Sequence, residues 1–422
     1  MKFDNRSFGG ADILLPDFNK TSAEKWAVIA CDQFTSEAHY WEKANNIVGT
    51  SPSTLRIILP EVYLNETNSR IPRINATMNE YLNEVLIEHP DSMIYVERVQ
   101  SDGSIRRGIV MAVDLECYDY RKGASSLIRA TEATVIERIP PRVAIRRDAA
   151  IELPHVMLLI DDPDRTVIEQ LSEKNCPELA YDTDLMLGGG HITGRFIPED
   201  AKAAVSSALE ELISPEQMKK RYGDENLSPL LFAVGDGNHS LATAKTIYEE
   251  IKENMGENAA LEHPARYALV EVVNIHDDSL KFEPIYRVVF GVNTTDILEK
   301  LEEYAKRLSG SAEPQSVEYI TSEKTGNISF EHPTKQLVVG TLQEFIDEYL
   351  KNNPEAEVDY IHGEDSVKNL ISPTSIGFIF SGMSKSELFK TVIYDGALPR
   401  KTFSMGHAED KRYYIECRKI TK

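Results

Sequence analysis

Two kinds of element alternate along the whole chain. Short strand-type runs (WAVIA, LRIIL, MIYVERV, GIVMAV, HVMLLI, LLFAV, YALVEVVNI and YRVVF) are interleaved with segments of helical period. A chain that mixes both over its full length is expected to be an α/β or α+β protein. The clearest helix begins near Thr295 and Asp296, where a cap-type residue precedes Ile297, Leu298, Leu301, Tyr304, Ala305 and Leu308 on one face, with Gly310 just beyond. A second starts at Pro198, aligns Val205, Leu209, Leu212 and Ile213, and stops before Pro215.

With 422 residues, 41% of them hydrophobic, the chain exceeds what one core usually holds, so two lobes are expected. The Ser, Gly and Pro content of LSGSAEPQS (Leu308–Ser316) places the boundary there, giving a main lobe over 1–309 and a C-terminal α/β lobe over 310–422. ECYDYRKGASS is a weaker break. The net charge of -22 opposes phosphate arrays and anionic membranes, which points to small molecules or proteins as partners and excludes nucleic acid. Apolar stretches such as Val156–Ile160 are strand-sized, far below the roughly 20 residues of a membrane span. The first twenty residues carry acid and glycine where an export signal needs a basic start and an apolar run. Cys31, Cys117, Cys176 and Cys417 are isolated thiols, without the pairing of a disulfide framework or zinc ribbon. The expected setting is the cytoplasm, and the oligomeric state is left open, a homodimer included.

The stretch LFAVGDGNHSLATAK (Leu231–Lys245) carries the most chemistry. Leu230–Val234 is a buried-strand pattern. After Ser240, Leu241, Ala244, Ile247, Tyr248, Ile251 and Met255 recur at helical spacing, which gives strand, glycine turn, helix. The first N–H groups of a helix lack intrahelical partners and bear the positive end of its dipole, while Gly235 and Gly237 let a ligand approach the backbone. Phosphate is the natural guest. Asn238 or Ser240 can cap the helix, which leaves Asp236 and His239 as the residues that capping does not explain. The spacing of a P-loop or of a Rossmann fingerprint is missing.

Other histidines sit in similar turns: His155 in IELPHVMLLIDDPD, His191 in LMLGGGHITGRF and His407 in FSMGHAEDKRYY. With Asp236 and His239 they offer imidazole and carboxylate for a metal or a general base. Asp161, Asp162 and Asp164 follow a strand, a place suited either to magnesium or to a solvated turn. In WAVIACDQFTSEAHYWEKAN, Ser36 caps a helix with Glu37 in its first turn, where the carboxylate either favours the dipole or serves as a base. Arg56, Arg142, Arg146, Arg147, Arg195, Arg287 and Lys401 are cations beside strands or turns where phosphate charge can be met.

Assembled, LRIILPE, GDGNHSLATA and RYALVEVVNIHDDSLKFEPIYRVV resemble the bacterial domain-of-unknown-function family 1015 over nearly the whole length. The family hallmark is similar to D-G-H-H-R followed by a T-A pair. Here it stands as Asp236-Gly237-Asn238-His239-Ser240 with Thr243-Ala244. That turn is similar to one in the ParB and sulfiredoxin superfamily, which holds nucleotide phosphates and includes free-serine kinases. The resemblance implies a ParB/sulfiredoxin-like core with large additional α/β regions and a phosphate-binding, kinase-type site in which Glu37 matches the base for the substrate hydroxyl. Ser240 stands where the family shows arginine, Asn238 where it often shows histidine, and Tyr286 where a His-Arg pair is common. Losing a bidentate clamp means that Arg195, Arg287 or Lys245 replaces it, or that the ligand differs.

The expected function is transfer of a phosphoryl group from ATP, ADP or pyrophosphate, with Mg2+, to a small hydroxyl compound such as serine. Gly237, Asn238 and Ser240 would hold phosphate, Asp236 the metal or the acceptor hydroxyl, His239 the developing charge, and Glu37 the proton. If Asp236 does only chemistry, Asp236→Asn abolishes turnover at unchanged melting temperature. Two alternatives are a nucleotide-sensing module without turnover and a metal-dependent hydrolase built on His155, His191, His239 and His407.

Overall fold

The computed structural model describes residues 3, 6–132, 139–153, 155–406 and 408–422. The chain is a mixed α/β protein of two compact units. The first comprises Met1–Ala130, Thr134–Leu280 and Gly406–Lys422, the second Thr131–Ala133 and Lys281–Met405. The division thus precedes the Leu308–Ser316 connector, which only joins helix α8 (Thr294–Arg307) to strand β15 (Gln315–Ile320) within the second unit. Helix α8 has Ile297, Leu298, Leu301 and Tyr304 buried, so its apolar stripe belongs to that unit's core. The tail after Gly406 belongs again to the first unit, which no composition signal announces.

The first unit is built on a ten-stranded sheet. Its strands are β1 (Phe8–Gly9), β4 (Ile94–Val99), β5 (Ile105–Asp114), β6 (Tyr118–Asp119), β7 (Ile128–Ala130), β9 (Met157–Ile160), β10 (Leu179–Asp184), β11 (His191–Phe196), β12 (Phe232–Asp236) and β13 (Tyr267–Asn274). They run in the order β10-β11-β4-β5-β13-β9-β12-β7-β6, with β1 on β5. Alternate residues divide between two cores, as a pleated strand requires. Ile94, Val96, Val110, Ala112 and Leu269 join one, which also takes Ile415 and Cys417 of the tail. Tyr95, Ile109, Met111, Val270, Phe232 and Val234 join the other. A smaller sheet sets β2 (Ala11–Pro16) between β3 (Leu86–Ser92) and β20 (Cys417–Lys419), with β8 (Ile151–Glu152) on β20. The helices are α1 (Ala38–Val48), α2 (Thr67–Glu84), α3 (Ile139–Arg146), α4 (Glu199–Glu211), α5 (Pro215–Tyr222), α6 (Asn238–Met255) and α7 (Glu257–Ala260).

The second unit has a sheet ordered β16-β15-β18-β14-β17, with β19 on β14. Its remaining strands are β14 (Phe282–Phe290), β16 (Thr325–Phe330), β17 (Glu357–His362), β18 (Ser375–Ile379) and β19 (Phe403–Met405), and its other helices are α9 (Val338–Asn352), α10 (Glu364–Asn369) and α11 (Lys385–Asp395).

Two of the strand-type runs do not form strands. WAVIA contributes one bridge, at Ile29, and LRIIL opens with a 3-10 turn over Thr54–Arg56. Their polar groups bond to each other instead: Val28 N donates to Thr54 Oγ1 at 3.1 Å, and Thr54 N to the Trp26 carbonyl at 2.9 Å. These runs are apolar because they are buried, and a ladder is only one way to satisfy a buried backbone. Among the described residues, no helix is long and apolar enough to cross a membrane.

Candidate functional site

Strand β12 ends at Asp236, and α6 begins at Asn238. Gly237 between them has φ +82°, and a Cβ there would lie 2.3 Å from the His155 carbonyl oxygen, so only glycine fits. Gly237 is itself the N-cap residue and supplies no side-chain cap, so the expected capping by Asn238 or Ser240 does not occur. The helical ladder first closes at Leu241, whose N–H donates to the Gly237 carbonyl at 3.0 Å. The amides of the preceding turn face outward from an 18-residue helix, the arrangement that favours an anion. Asn238 Oδ1 is buried and has no partner among the described residues.

Asp236 is heavily engaged. Its Oδ1 accepts from the Gly237 N–H at 2.8 Å, and its Oδ2 lies 3.1 Å from both His155 Nε2 and Lys411 Nζ. Burial alone would raise its pKa, but His155 and Lys411 outweigh that cost and hold the carboxyl well below the usual range. His155 is buried, and its Nδ1 lies 2.8 Å from the Arg412 carbonyl oxygen. Both ring nitrogens therefore face acceptor oxygens. This side chain is a clasp between Asp236 and the tail, and it has no nitrogen left to coordinate a metal.

The tail brings a third segment to the turn. The Lys411 carbonyl accepts from Ala30 N at 2.8 Å, Tyr413 N donates to the Val28 carbonyl at 3.0 Å, and Arg412 bridges to Ile29. Tyr40 of α1 reaches the Arg412 guanidinium. The loop after Ala30 thus starts on the tail beside Lys411, and Tyr40, in the first turn of the helix that follows it, reaches Arg412. Glu37 is the N-cap of α1, displacing Ser36 from that expected role, and it stays half exposed, with His39 Nε2 4.0 Å away. Ser240 and Thr243 line a cavity of about 140 Å³ together with Cys31, Leu59, Met78 and Arg142. A larger hollow, of about 720 Å³, lies beside Glu116, Tyr118 and Lys245 and is not lined by the Asp236 turn.

Several expected ligands lie elsewhere. Lys245 donates to the Leu115 carbonyl at 2.9 Å and pairs with Glu249. Arg195 pairs with Glu173 at 3.0 Å. Arg287 is fully buried within the second unit, donating to Gln343 Oε1 at 2.8 Å, and burial pushes it down to about 10. Each of the three is bonded to partners outside the Asp236 turn. His191 sits between Asp184 at 2.7 Å and Asp182 at 2.6 Å on an exposed hairpin. His239 is in the first turn of α6, its carbonyl accepting from Thr243 Oγ1 at 2.7 Å. His407 lies outside the described residues. Asp162 accepts from the amides of Thr166 and Val167, Asp161 pairs with His276 and Tyr222, and Asp164 pairs with Lys220. They close a turn. Among the described residues, no group of three or more His, Cys, Asp or Glu side chains could hold a metal ion.

What spacing could not reveal is Lys411, and with it Tyr40 and Arg412. Lys411 reaches Asp236 through the fold, Arg412 meets His155 and Tyr40 meets Arg412, and MGHAEDKRYY attracts notice in sequence only for its histidine.

The model of the family described as "Protein of unknown function (DUF1015)" matches residues 16–418. The chain belongs to that family. No curated protein matches this DUF1015 member. Among solved structures, it is similar to a conserved hypothetical protein from Pyrococcus furiosus, at 12% identity, 70% of this chain and 90% of that one covered, and a TM-score of 0.32. A free serine kinase in complex with AMP is 11% identical, with 74% and 91% covered and a TM-score of 0.35. SbnI with a C-terminal truncation, from Staphylococcus aureus, is 11% identical, with 70% and 82% covered and a TM-score of 0.32. At these scores the DUF1015 chain inherits no activity from them.

Proposed function

We propose that the protein binds a phosphate-bearing small molecule at the first turn of α6 and transfers a phosphoryl group between ATP, ADP or pyrophosphate and a small hydroxyl compound such as free serine. The observation that carries this reading is the uncapped start of an 18-residue helix at a glycine that no other residue can replace, with Lys411 alongside. The amides of Asn238, His239 and Ser240 cradle the phosphate, and Lys411 supplies positive charge in place of the family's arginine, while Arg142, paired with Glu61, lines the adjoining cavity. Asp236 holds Lys411 and His155 in position. Glu37, on the loop anchored to the tail, takes the proton of the acceptor hydroxyl.

Magnesium does not fit as a protein-held ion, because both Asp236 oxygens already accept from Gly237, His155 and Lys411. It arrives on the nucleotide's own phosphates.

The test is incubation with ATP, ADP or pyrophosphate plus serine, pooled amino acids and polyols, with mass detection of phosphorylated products. A phosphorylated acceptor, lost in Lys411→Met and in Glu37→Gln, is the expected result. Saturable nucleotide binding without product assigns the chain to the second reading, a nucleotide-sensing module, which the full engagement of Asp236 and His155 also favours. Absence of any phosphate or nucleotide binding ends both.

A further inference from the structure

Three segments wall the cavity that adjoins the first turn of α6. Ser240 and Thr243, three residues apart, share one face of that helix, and Arg142, Ile145 and Arg146 share one face of α3. The third wall is Ile57, Ile58 and Leu59 of LRIIL. A strand would divide consecutive side chains between two faces, whereas this segment forms no strand and all three residues line the cavity. Met78 of α2 and Ala149 extend the aliphatic lining, and both belong to the same core cluster as Ile57, Ile58 and Leu59. Among the described residues, the larger hollow beside Glu116 and Lys245 has no Ile, Leu, Val or Met on its wall.

Most polar groups of the aliphatic cavity are already engaged. Arg142 pairs with Glu61 and Arg146 with Glu152, which also accepts from Arg418 Nε and the Leu269 N–H, at 2.7 and 2.9 Å. Thr243 Oγ1 donates to the His239 carbonyl at 2.7 Å. The Cys31 thiol, bonded to the Tyr413 hydroxyl, is pushed up to about 12, first by burial and then by Asp32, so it stays uncharged. Arg146 Nε, buried without a hydrogen-bond partner among the described residues, and the Ser240 hydroxyl are left for a guest. They match few of the ring and exocyclic nitrogens of a nucleobase, each of which is costly to bury unbonded, whereas a hydrocarbon needs no partner. An apolar cavity of roughly 150 Å³ holds one benzene ring, so the 140 Å³ present here suits a branched or cyclic group of about five or six carbons.

We propose that this cavity receives the uncharged hydrocarbon portion of the acceptor and of its phosphate ester, so that the preferred substrate is a primary alcohol bearing a branched aliphatic or aromatic group, ahead of free serine. The inference rests on the phosphoryl-transfer reading. Ser240 joins the two parts of the site, because its amide belongs to the proposed phosphate cradle and the residue also lines the cavity. In the transfer, the acceptor oxygen bonds the terminal phosphorus of the donor as that phosphorus parts from the oxygen of the leaving phosphate, and the hydroxyl proton passes to Glu37. LRIIL, apolar yet outside every sheet, thereby gains a role in choosing the acceptor.

Calorimetric titration of the full chain with phosphate monoesters tests this. Isopentyl and benzyl phosphate should bind about tenfold or more tightly than O-phosphoserine, with roughly a threefold to fourfold gain for each methylene added from methyl to isopentyl phosphate. Ala149→Leu, which fills the cavity, should erase that difference, and isopentyl alcohol should be phosphorylated ahead of serine when both are offered with ATP, ADP or pyrophosphate. Equal binding of all the esters, or a preference for serine, overturns the inference and leaves the phosphate site standing. So does a gain for ATP over inorganic triphosphate that Ala149→Leu removes without any gain for the esters, which gives the cavity to the nucleobase. Absence of turnover with every acceptor removes the transfer reading itself, and the inference with it. Should Ala149→Leu fail to fold, the methylene series on the unaltered protein decides alone.

Discussion

Asp236 shows how one side chain serves both fold and site. Its carboxylate joins the end of β12, the segment before β9, and the tail, so removing its charge leaves Lys411 without its counterion. Asp236→Asn should therefore abolish ligand binding and also cost about 2 kcal/mol, a value kept low because a quarter of the side chain remains exposed. Melting curves check this, and an unchanged melting temperature would restore the purely chemical role. The pH dependence has a definite sign. Because the native carboxyl is held below its ordinary range, the stability it contributes is complete above the unfolded value of about 3.9 and is lost as pH falls further. Urea unfolding at acid pH should accordingly be steeper in pH for the unaltered protein than for Asp236→Asn. Glu416 behaves oppositely. Burial pushes it up to about 7 despite the Tyr181 hydroxyl donating to it at 2.6 Å. Its contribution is present below the unfolded value of about 4.3 and declines as pH rises toward 7. Glu416→Gln should remove that decline, which urea titrations at pH 5 and pH 8 will show.

At the scale of elements, the glycine turn is the hinge of the proposal. Gly237→Ala forces a left-handed φ on alanine and drives its Cβ into the His155 carbonyl, so a loss of roughly 2–4 kcal/mol is expected, together with loss of phosphate binding. Calorimetry of the variant with and without pyrophosphate measures both. This element was legible in sequence, because the apolar run, two glycines and the 3.6-residue period report local backbone preferences that the fold then keeps. The same holds for α8, whose cap falls on Asn293, just ahead of the expected Thr295. WAVIA and LRIIL were not legible, since apolarity reports burial and leaves open how the backbone is satisfied. Nor were the partners of Asp236. Helix and strand periods place a residue on a face, whereas Lys411 and His155 reach the turn through the order of strands in the sheet, which local pattern does not encode.

For the whole molecule, the interrupted first unit is decisive. Strand β20 is central to the four-stranded sheet, and Ile415 and Cys417 fill the core that Ile94 and Val110 share. A fragment spanning 281–405 should fold cooperatively alone, whereas 1–280 without 406–422 should lack a sharp thermal transition and bind no phosphate. Circular dichroism melts of the two fragments test this directly. Equal cooperativity in both would mean that the tail adds little to the first unit.

The pairing of Asp236 with Lys411 has a temporal side. During synthesis the acid emerges first, and its lysine follows only after residues 281–405 have been made. Until then a newborn chain carries the proposed binding turn with its cation yet to be translated, so ligand capture by a nascent polypeptide should begin only once Lys411 leaves the ribosome.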